Sequence, residues 1–208
     1  MERLIAVTDL VRESSYTKQL KSEIVRKAIH LLIAFVPLLA SISVSFTMGL
    51  LGAGTLFYIF AEKARREGIK VLFVSDLTLI ASRDNDSSRF VAGPVTLGIG
   101  AMLALLLYPE EASVIAIYAL AFGDSAASLV GKIVGGVRIP YTKGKTFAGS
   151  LACFTVVLIL AYRLCGDMRA SFVIAAATAI FEALPTTDMD NIIIPVGTGL
   201  VASQILGL

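Results

Sequence analysis

The chain has 208 residues, 56% of them hydrophobic, with 18 Lys and Arg against 16 Asp and Glu for a formal charge of +2. A mean hydropathy of +0.82 excludes an ordinary soluble domain of this length, and the near balance of charge leaves no reason to expect nucleic acid as a partner. The expectation is one all-α, polytopic membrane domain over residues 1–208, since no repeat or low-complexity tract marks off a second.

Residues 1–25 are polar and read as a cytosolic tail, not a cleavable signal peptide, because the first apolar run carries Arg26, Lys27 and His30 at its head. Apolar runs near the roughly 20 residues needed to cross the hydrocarbon core predict about seven transmembrane helices, at about 26 to 45, 47 to 62, 90 to 108, 112 to 134, 147 to 165, 169 to 184 and 191 to 207. The last three are short or interrupted by Gly and Pro. Between the second and third, Ile69, Leu72, Phe73, Leu77 and Ile80 fall at helical spacing in a stretch too short to span and broken by Asp76. A short amphipathic helix on the cytosolic surface is the preferred reading, and a loop helix packed on the bundle the alternative. Cys153 and Cys165 share one predicted helix, about 18 Å apart at 1.5 Å rise per residue, so free thiols are expected.

Positive charge tests this topology. Lys and Arg gather before residue 30 (Arg3, Arg12, Lys18, Lys21, Arg26, Lys27), between the second and third spans (Lys63, Arg65, Arg66, Lys70, Arg83, Arg89) and between the fourth and fifth (Lys132, Arg138, Lys143, Lys145). Only Arg163 and Arg169 remain for the other side. Short cytosolic loops collect positive charge, so the N-terminus is expected inside and the C-terminus outside, in the plasma (inner) membrane if the chain is bacterial.

The fourth predicted helix carries an aspartate among apolar residues, and a carboxylate at membrane depth usually belongs to a site. Gly123, Ala127, Gly131 and Gly135 form a small-residue ridge suited to close helix approach. Beside it Asp124, Ser128 and Lys132 form a polar stripe at the same spacing. The following loop, with Lys143, Gly144, Lys145 and Thr146, is not a P-loop, because Ile139 stands where that motif needs Gly. It still has lysines, glycines that bare backbone N–H groups, and a helix predicted to begin near Thr146, which together suit a phosphate. The turn before the seventh helix, from Glu182 to Asn191, is acidic on the side where other loops are basic. Oxygen ligands at Asp188, Asp190 and Asn191 suit Mg²⁺, which one or two carboxylates plus substrate phosphates typically hold.

The blocks Arg26-Lys27-x-x-His30, Gly123-Asp124-x-x-Ala127-Ser128-x-x-Gly131-Lys132-x-x-Gly135, Lys145-Thr146-x-x-Gly149-Ser150, then Glu182 followed by Asp190-Asn191-x-x-x-Pro195, resemble the CTP-dependent lipid-alcohol kinases in kind and order. That family includes dolichol kinase, phytol kinase and the CTP-using diacylglycerol kinase. The resemblance implies transfer of the CTP γ-phosphate to the hydroxyl of a membrane lipid (polyprenol, phytol or diacylglycerol) on the cytosolic face, with a divalent metal. Ala148 departs from the acidic residue many members carry before the Gly-Ser pair.

In that frame Asp124 and Asp190, supported by Asn191 or Asp188, would hold Mg²⁺ against the phosphates. Lys143, Lys145 and the backbone near Gly144 and Thr146 would neutralise the transferred group, with Lys132 and Ser128 beside them. Glu182 is the candidate base for the lipid hydroxyl, with Asp190 its rival. Arg26, Lys27 and His30 would meet the nucleotide or a lipid headgroup, or simply anchor the first helix. Two other readings stand beside this one. The blocks from residue 124 to 149 also look similar to phosphatidate cytidylyltransferase, whose later Lys-Arg, Lys-Asp and Gly-His-Gly-Gly blocks have no counterpart after residue 150. A non-enzymatic transporter or scaffold explains the hydropathy and Asp124 but not the gathering of polar blocks on one side. Nothing in the sequence fixes the oligomeric state.

Overall fold

The computed structural model describes residues 2–81, 90–142, 144–186 and 188–208, with residues 2–16, 72 and 73 described by backbone alone. The first helix, α1 (Glu2–Leu32), runs through a 3₁₀ turn at Ile33–Phe35 into α2 (Val36–Ile42). The stretch expected to be a polar tail is therefore helical and continuous with the first apolar run. Ser43 breaks the path with extended φ/ψ, and its hydroxyl caps α3 (Val44–Arg66) by accepting from the Phe46 N–H at 3.2 Å.

The short helix α4 (Leu72–Ala81) stands where one was expected, but it packs against α1 and α3. It buries Ser75 and Thr78 while Leu77, Leu79 and Ile80 look outward. The structure thus favours the bundle-packed alternative, with Asp76 and the apolar Leu77, Leu79 and Ile80 together on the outer face.

Helix α5 (Gly93–Leu107) begins on Pro94 in its first turn, where a missing N–H costs nothing. The fourth apolar run is not one continuous α-helix. Helix α6 (Glu110–Tyr118) passes through a π-helical turn at Ala119–Gly123 into α7 (Asp124–Val134). Three more follow: α8 (Phe147–Cys165), α9 (Met168–Ala183) and α10 (Asp190–Leu206).

Among the described residues, four helical stretches are long and apolar enough to cross a membrane: Thr17–Ile42, Val44–Arg66, Glu110–Val134 and Phe147–Cys165. Helices α5, α9 and α10 have 15, 16 and 17 residues, short of the roughly 20 that a full crossing takes. The all-α membrane architecture expected from composition holds; four of the expected spans meet the length of a full crossing, and the count of seven is not confirmed.

The packing is that of a membrane bundle. Ala101, Ala104, Ala112, Ala116, Ala161, Ala175 and Ala202 are fully buried, whereas Leu38, Phe46, Phe60, Leu106 and Leu151 are exposed. Small residues inside let backbones approach where no hydrophobic effect drives helix to helix. The ridge on α7 does this against α8. A Cβ on Gly123 would come within 2.8 Å of Val157 Cγ2, one on Gly131 within 2.9 Å of Thr146 Oγ1, and one on Gly149 within 2.6 Å of the Ala127 carbonyl oxygen. Gly135 serves differently, ending α7 at φ 65°. In α10, Pro195 has no N–H to offer the Asn191 carbonyl one turn back. Gly100 of α5 sits against that oxygen, where a Cβ would lie at 2.0 Å.

Both cysteines are free thiols.

Candidate active site

One cavity of about 870 Å³ opens among α1, α3, α4, the start of α5, α7, the loop at 144–146, the end of α9 and the start of α10. Every described residue nominated above as a site residue lines it. Lys143 lies outside the described residues. The polar blocks that hydropathy assigned to one face of the membrane therefore converge on one volume, although they are spread from residue 23 to residue 191.

The first wall is a charge ladder between α1 and α7. Asp124, directly after the π-helical turn, is 3% exposed and pairs through Oδ2 with the equally buried Lys27. His30 Nδ1 lies 3.0 Å from the same oxygen, but out of line, so Nδ1 has no hydrogen-bond partner. Two turns on, Lys132 pairs with Glu23, which also takes Arg26 at 2.5 Å. Glu23, Lys27 and His30 occupy one face of α1, and Asp124, Ser128 and Lys132 one face of α7, with the signs reversed between the two. A π-bulge shifts helical register locally and recurs at functional sites. Here it comes immediately before the residue on which the ladder closes.

The opposite corner is built on Lys145. Beyond α7 the chain turns through Gly135, Gly136 and Gly144 at positive φ, with Tyr141 also at φ 62°. It returns antiparallel, Ile139 N–H donating to the Lys145 carbonyl at 2.8 Å and Phe147 N–H to that of Val137 at 3.1 Å. Thr146 then caps α8, its hydroxyl accepting from Gly149 N–H at 3.1 Å, at the point where the sequence predicts a helix to begin. The Lys145 ammonium donates to the Glu182 carbonyl oxygen and lies 3.6 Å from Glu182 Oε1 and 3.9 Å from Asp190 Oδ2. Glu182 Oε2 accepts from Ser150 at 3.0 Å. One lysine thus joins the end of α9 to the start of α10, and Asp124 is among the charges acting on Asp190.

The metal expectation meets a different arrangement from the one drawn from sequence. Among the described residues no group of three or more His, Cys, Asp and Glu is set to hold a metal ion. Asn191 Nδ2 donates to the Gly93 carbonyl at 3.1 Å and Thr96 Oγ1 at 2.9 Å, tying α10 to α5. Asp124 Oδ2 is already committed to Lys27. A carboxylate-poor Mg²⁺ site completed by substrate phosphates remains compatible with Asp190 and Asp124 facing one cavity. The charge of the described lining also favours a cation. Among the described residues four cationic side chains (Arg26, Lys27, Lys132, Lys145) face five carboxylates (Glu23, Asp124, Glu182, Asp188, Asp190), so a triphosphate meeting these groups alone would add to their excess of negative charge.

Three elements of the site escaped the sequence reading. Glu23 falls within the polar stretch that reads as a tail, although it precedes Lys27 by one helical turn. Ser150 was visible only as a block residue, and its partner Glu182 is 32 positions away. The clamp on Val91, whose N–H donates to Glu62 at 3.0 Å and whose carbonyl accepts from the Tyr58 hydroxyl at 3.1 Å, has no local signal at all.

Comparison with known proteins returns plant enzymes. A probable phytol kinase 3, chloroplastic, of Glycine max is 32% identical over 142 residues, covering 60% of this chain and 44% of that protein. Phytol kinase 1, chloroplastic, of Arabidopsis thaliana is 24% identical over 153 residues, 65% of this chain and 50% of that one. Farnesol kinase, chloroplastic, of Arabidopsis thaliana is 31% identical over 126 residues, 53% of this chain and 41% of that one. The chain spans about half the length of these relatives, or somewhat less. No family model matches it, and no solved structure does. In sequence the chain is a relative of the phytol and farnesol kinases, the lipid-alcohol kinases that its blocks resemble.

Proposed function

We propose that the chain is a membrane kinase that moves the γ-phosphate of CTP to the hydroxyl of a lipid alcohol. The observation that carries this reading is the Lys145 corner, where an ammonium sits between the carboxylates of Glu182 and Asp190 in a cavity shared with the Asp124 ladder. The relatives, named phytol and farnesol kinases, supply the acceptor class. The block order supplies CTP as the donor.

In this reading the hydroxyl oxygen of the lipid attacks the γ-phosphorus and the bond from that phosphorus to the bridging oxygen breaks, releasing CDP. The hydroxyl proton passes to a carboxylate, Glu182 or its rival Asp190. Lys145 balances charge on the equatorial oxygens, where positioning and electrostatics do most of the work in phosphoryl transfer. Lys143, Gly144 and the start of α8 at Thr146 cradle the phosphates, with Ser128, Lys132 and Arg26 along the wall. Lys27 and His30 hold Asp124 in place. Mg²⁺, held by Asp190 and Asp124 with Asp188 or Asn191 in support, would supply charge neutralisation for the phosphates. The cavity and the N-terminus lie on the cytosolic side, and in a bacterial cell the membrane is the inner one.

The test uses the purified full chain in lipid nanodiscs with γ-labelled CTP or ATP, Mg²⁺, and a panel of phytol, farnesol, a polyprenol, diacylglycerol and phosphatidate. Label in a lipid monophosphate, with CTP preferred, supports the proposal. Formation of a CDP-lipid with release of pyrophosphate overturns it in favour of the cytidylyltransferase. Absence of any nucleotide-dependent lipid product favours a transporter or scaffold.

A further inference from the structure

The turn between α7 and α8 holds a side chain that the cavity does not use. Tyr141 is 100% exposed and is not part of the cavity lining. Its φ is 62°, in the left-handed region. It stands third in the turn 139–142, which closes through the Thr142 N–H and hydroxyl on the Ile139 carbonyl at 3.4 and 2.8 Å. Pro140 suits the second position of such a turn, but a positive φ at the third favours Gly or Asn, because a Cβ is crowded there. A tyrosine therefore strains the backbone at a place where, among the described residues, its ring gains no packing. An outlier of this kind points to a function outside the fold.

What adjoins the turn indicates the partner. The turn hangs between the ends of two stretches long and apolar enough to cross a membrane, Glu110–Val134 and Phe147–Cys165. Phe147 N–H donates to the Val137 carbonyl at 3.1 Å, so Val137 stands level with the first residue of α8. Ile133, Val134, Val137 and Phe147 are apolar and all exposed, which suits the level where lipid chains give way to headgroups. Tyr141 follows Val137 by at most about 14 Å of extended chain. Residues 135–146 carry Arg138, Lys143 and Lys145 and no carboxylate.

We propose that the turn 139–142 docks on the anionic headgroup layer of the bilayer, with the Tyr141 ring seated at the interface and Arg138 against lipid phosphates. Tyrosine favours that layer because its ring is apolar and its hydroxyl can meet water or a headgroup. Arg138 is exposed, and an anionic surface attracts such a cation within a Debye length. A protein partner fits less well, because the apolar patch runs on without a break into side chains at the ends of two spans. The same segment carries Lys145, whose carbonyl accepts from Ile139 N–H. Docking the turn thus also steadies the segment that brings Lys145 to Glu182 and Asp190. The proposal rests on the membrane reading and goes beyond the kinase reading.

The chain has no tryptophan, so Tyr141→Trp places a single fluorophore at the turn. The full chain is reconstituted in phosphatidylcholine vesicles with and without phosphatidylglycerol, each with or without lipid brominated near the headgroup. Quenching by brominated lipid is expected with phosphatidylglycerol present, and less without it or at high salt, where screening weakens the attraction. Leu151→Trp, at an exposed position within α8, is the control that confirms quenching in both lipids. Water-like emission from position 141 overturns the proposal. So does blue-shifted emission without quenching, the signature of contact with protein.

The second experiment measures amide hydrogen exchange over residues 135–142 in the parent, Arg138→Gln and Tyr141→Gly. Phosphatidylglycerol should slow exchange about fivefold more in the parent than in Arg138→Gln, the share of one cation near an anionic surface. Tyr141→Gly, freed of the left-handed constraint, should resist denaturant in detergent at least as well as the parent, yet lose the slowing. Lower stability of Tyr141→Gly, or equal slowing in all three chains, overturns the docking site. Neither readout involves a nucleotide, so the kinase reading and the docking site fail separately.

Discussion

Replacing Asp124 by Asn is the sharpest test of the ladder, because the structure gives it two consequences that can be separated. The change is nearly isosteric and removes an ionised group from the cavity, so turnover should be abolished. It also strands Lys27, whose side chain is 4% exposed and whose counter-charge is Asp124. Removing one partner of a buried pair costs about 3–5 kcal/mol, a large share of the roughly 5–15 kcal/mol that separates folded from unfolded in a typical domain. At 1.4 kcal/mol per decade, the folded-to-unfolded ratio should fall by roughly two to more than three powers of ten. Exchanging both partners for apolar side chains, as in Lys27→Met with Asp124→Leu, should recover most of that loss, because such replacements are often neutral or stabilising. The recovered protein should still be inactive. Stability is read from denaturant titration in detergent micelles, and activity from label transfer to lipid. If Asp124→Asn is as stable as the parent, the buried ion pair is not what holds α1 to α7. If the double variant turns over substrate, Asp124 has no part in the reaction.

Lys145→Met should lower kcat by about 10²–10³ by removing one electrostatic contact to the transferred group, and near-normal kcat would dismiss that role. Gly149→Ala should destabilise by about 1–3 kcal/mol through overpacking, since its Cβ would lie 2.6 Å from the Ala127 carbonyl oxygen. Gly52→Ala, with nothing within 4 Å, is the matched control, and equal losses at the two sites would refute close packing of α7 on α8. Exhaustive chelation of divalent cations should stop turnover and weaken CTP binding in equilibrium dialysis, and binding untouched by chelation would remove the charge argument for a metal. On the seven-span topology, single cysteines at positions 14 and 207, in a chain with Cys153 and Cys165 replaced by Ala, should label from opposite faces of the membrane. Labelling from one face would correct the count of spans.

What could be read from the sequence was mostly local. Apolar runs fixed the positions of the long helices, because burial of backbone hydrogen bonds in lipid leaves a helix as the available answer. The ridge on α7 and the start of α8 near Thr146 were equally readable, since both depend on residues within a few turns. The short α9 and α10 were legible to within a residue at each end, and only α5 is shorter than its apolar run, because Pro94 sets its start.

The pairings were not legible, and the reason is physical. Hydropathy says that Asp124 is costly at its depth, but not which cation offsets the cost, and Lys27 comes 97 residues earlier. Glu23 was hidden because a polar stretch before an apolar run looks like a solvated tail until the helix is seen to continue through it. Yet the ladder itself bears on function. Buried ion pairs are weak contributors to stability, and apolar side chains of similar volume would hold α1 to α7 at least as well. A bundle that instead commits Lys27 to Asp124 and Lys132 to Glu23, and holds Lys145 between Glu182 and Asp190, keeps these charges where packing alone would discard them. All three sets line the same cavity. Under the proposed kinase function they would be partners held for a charged substrate, which would exchange places with the internal counter-ions when it binds.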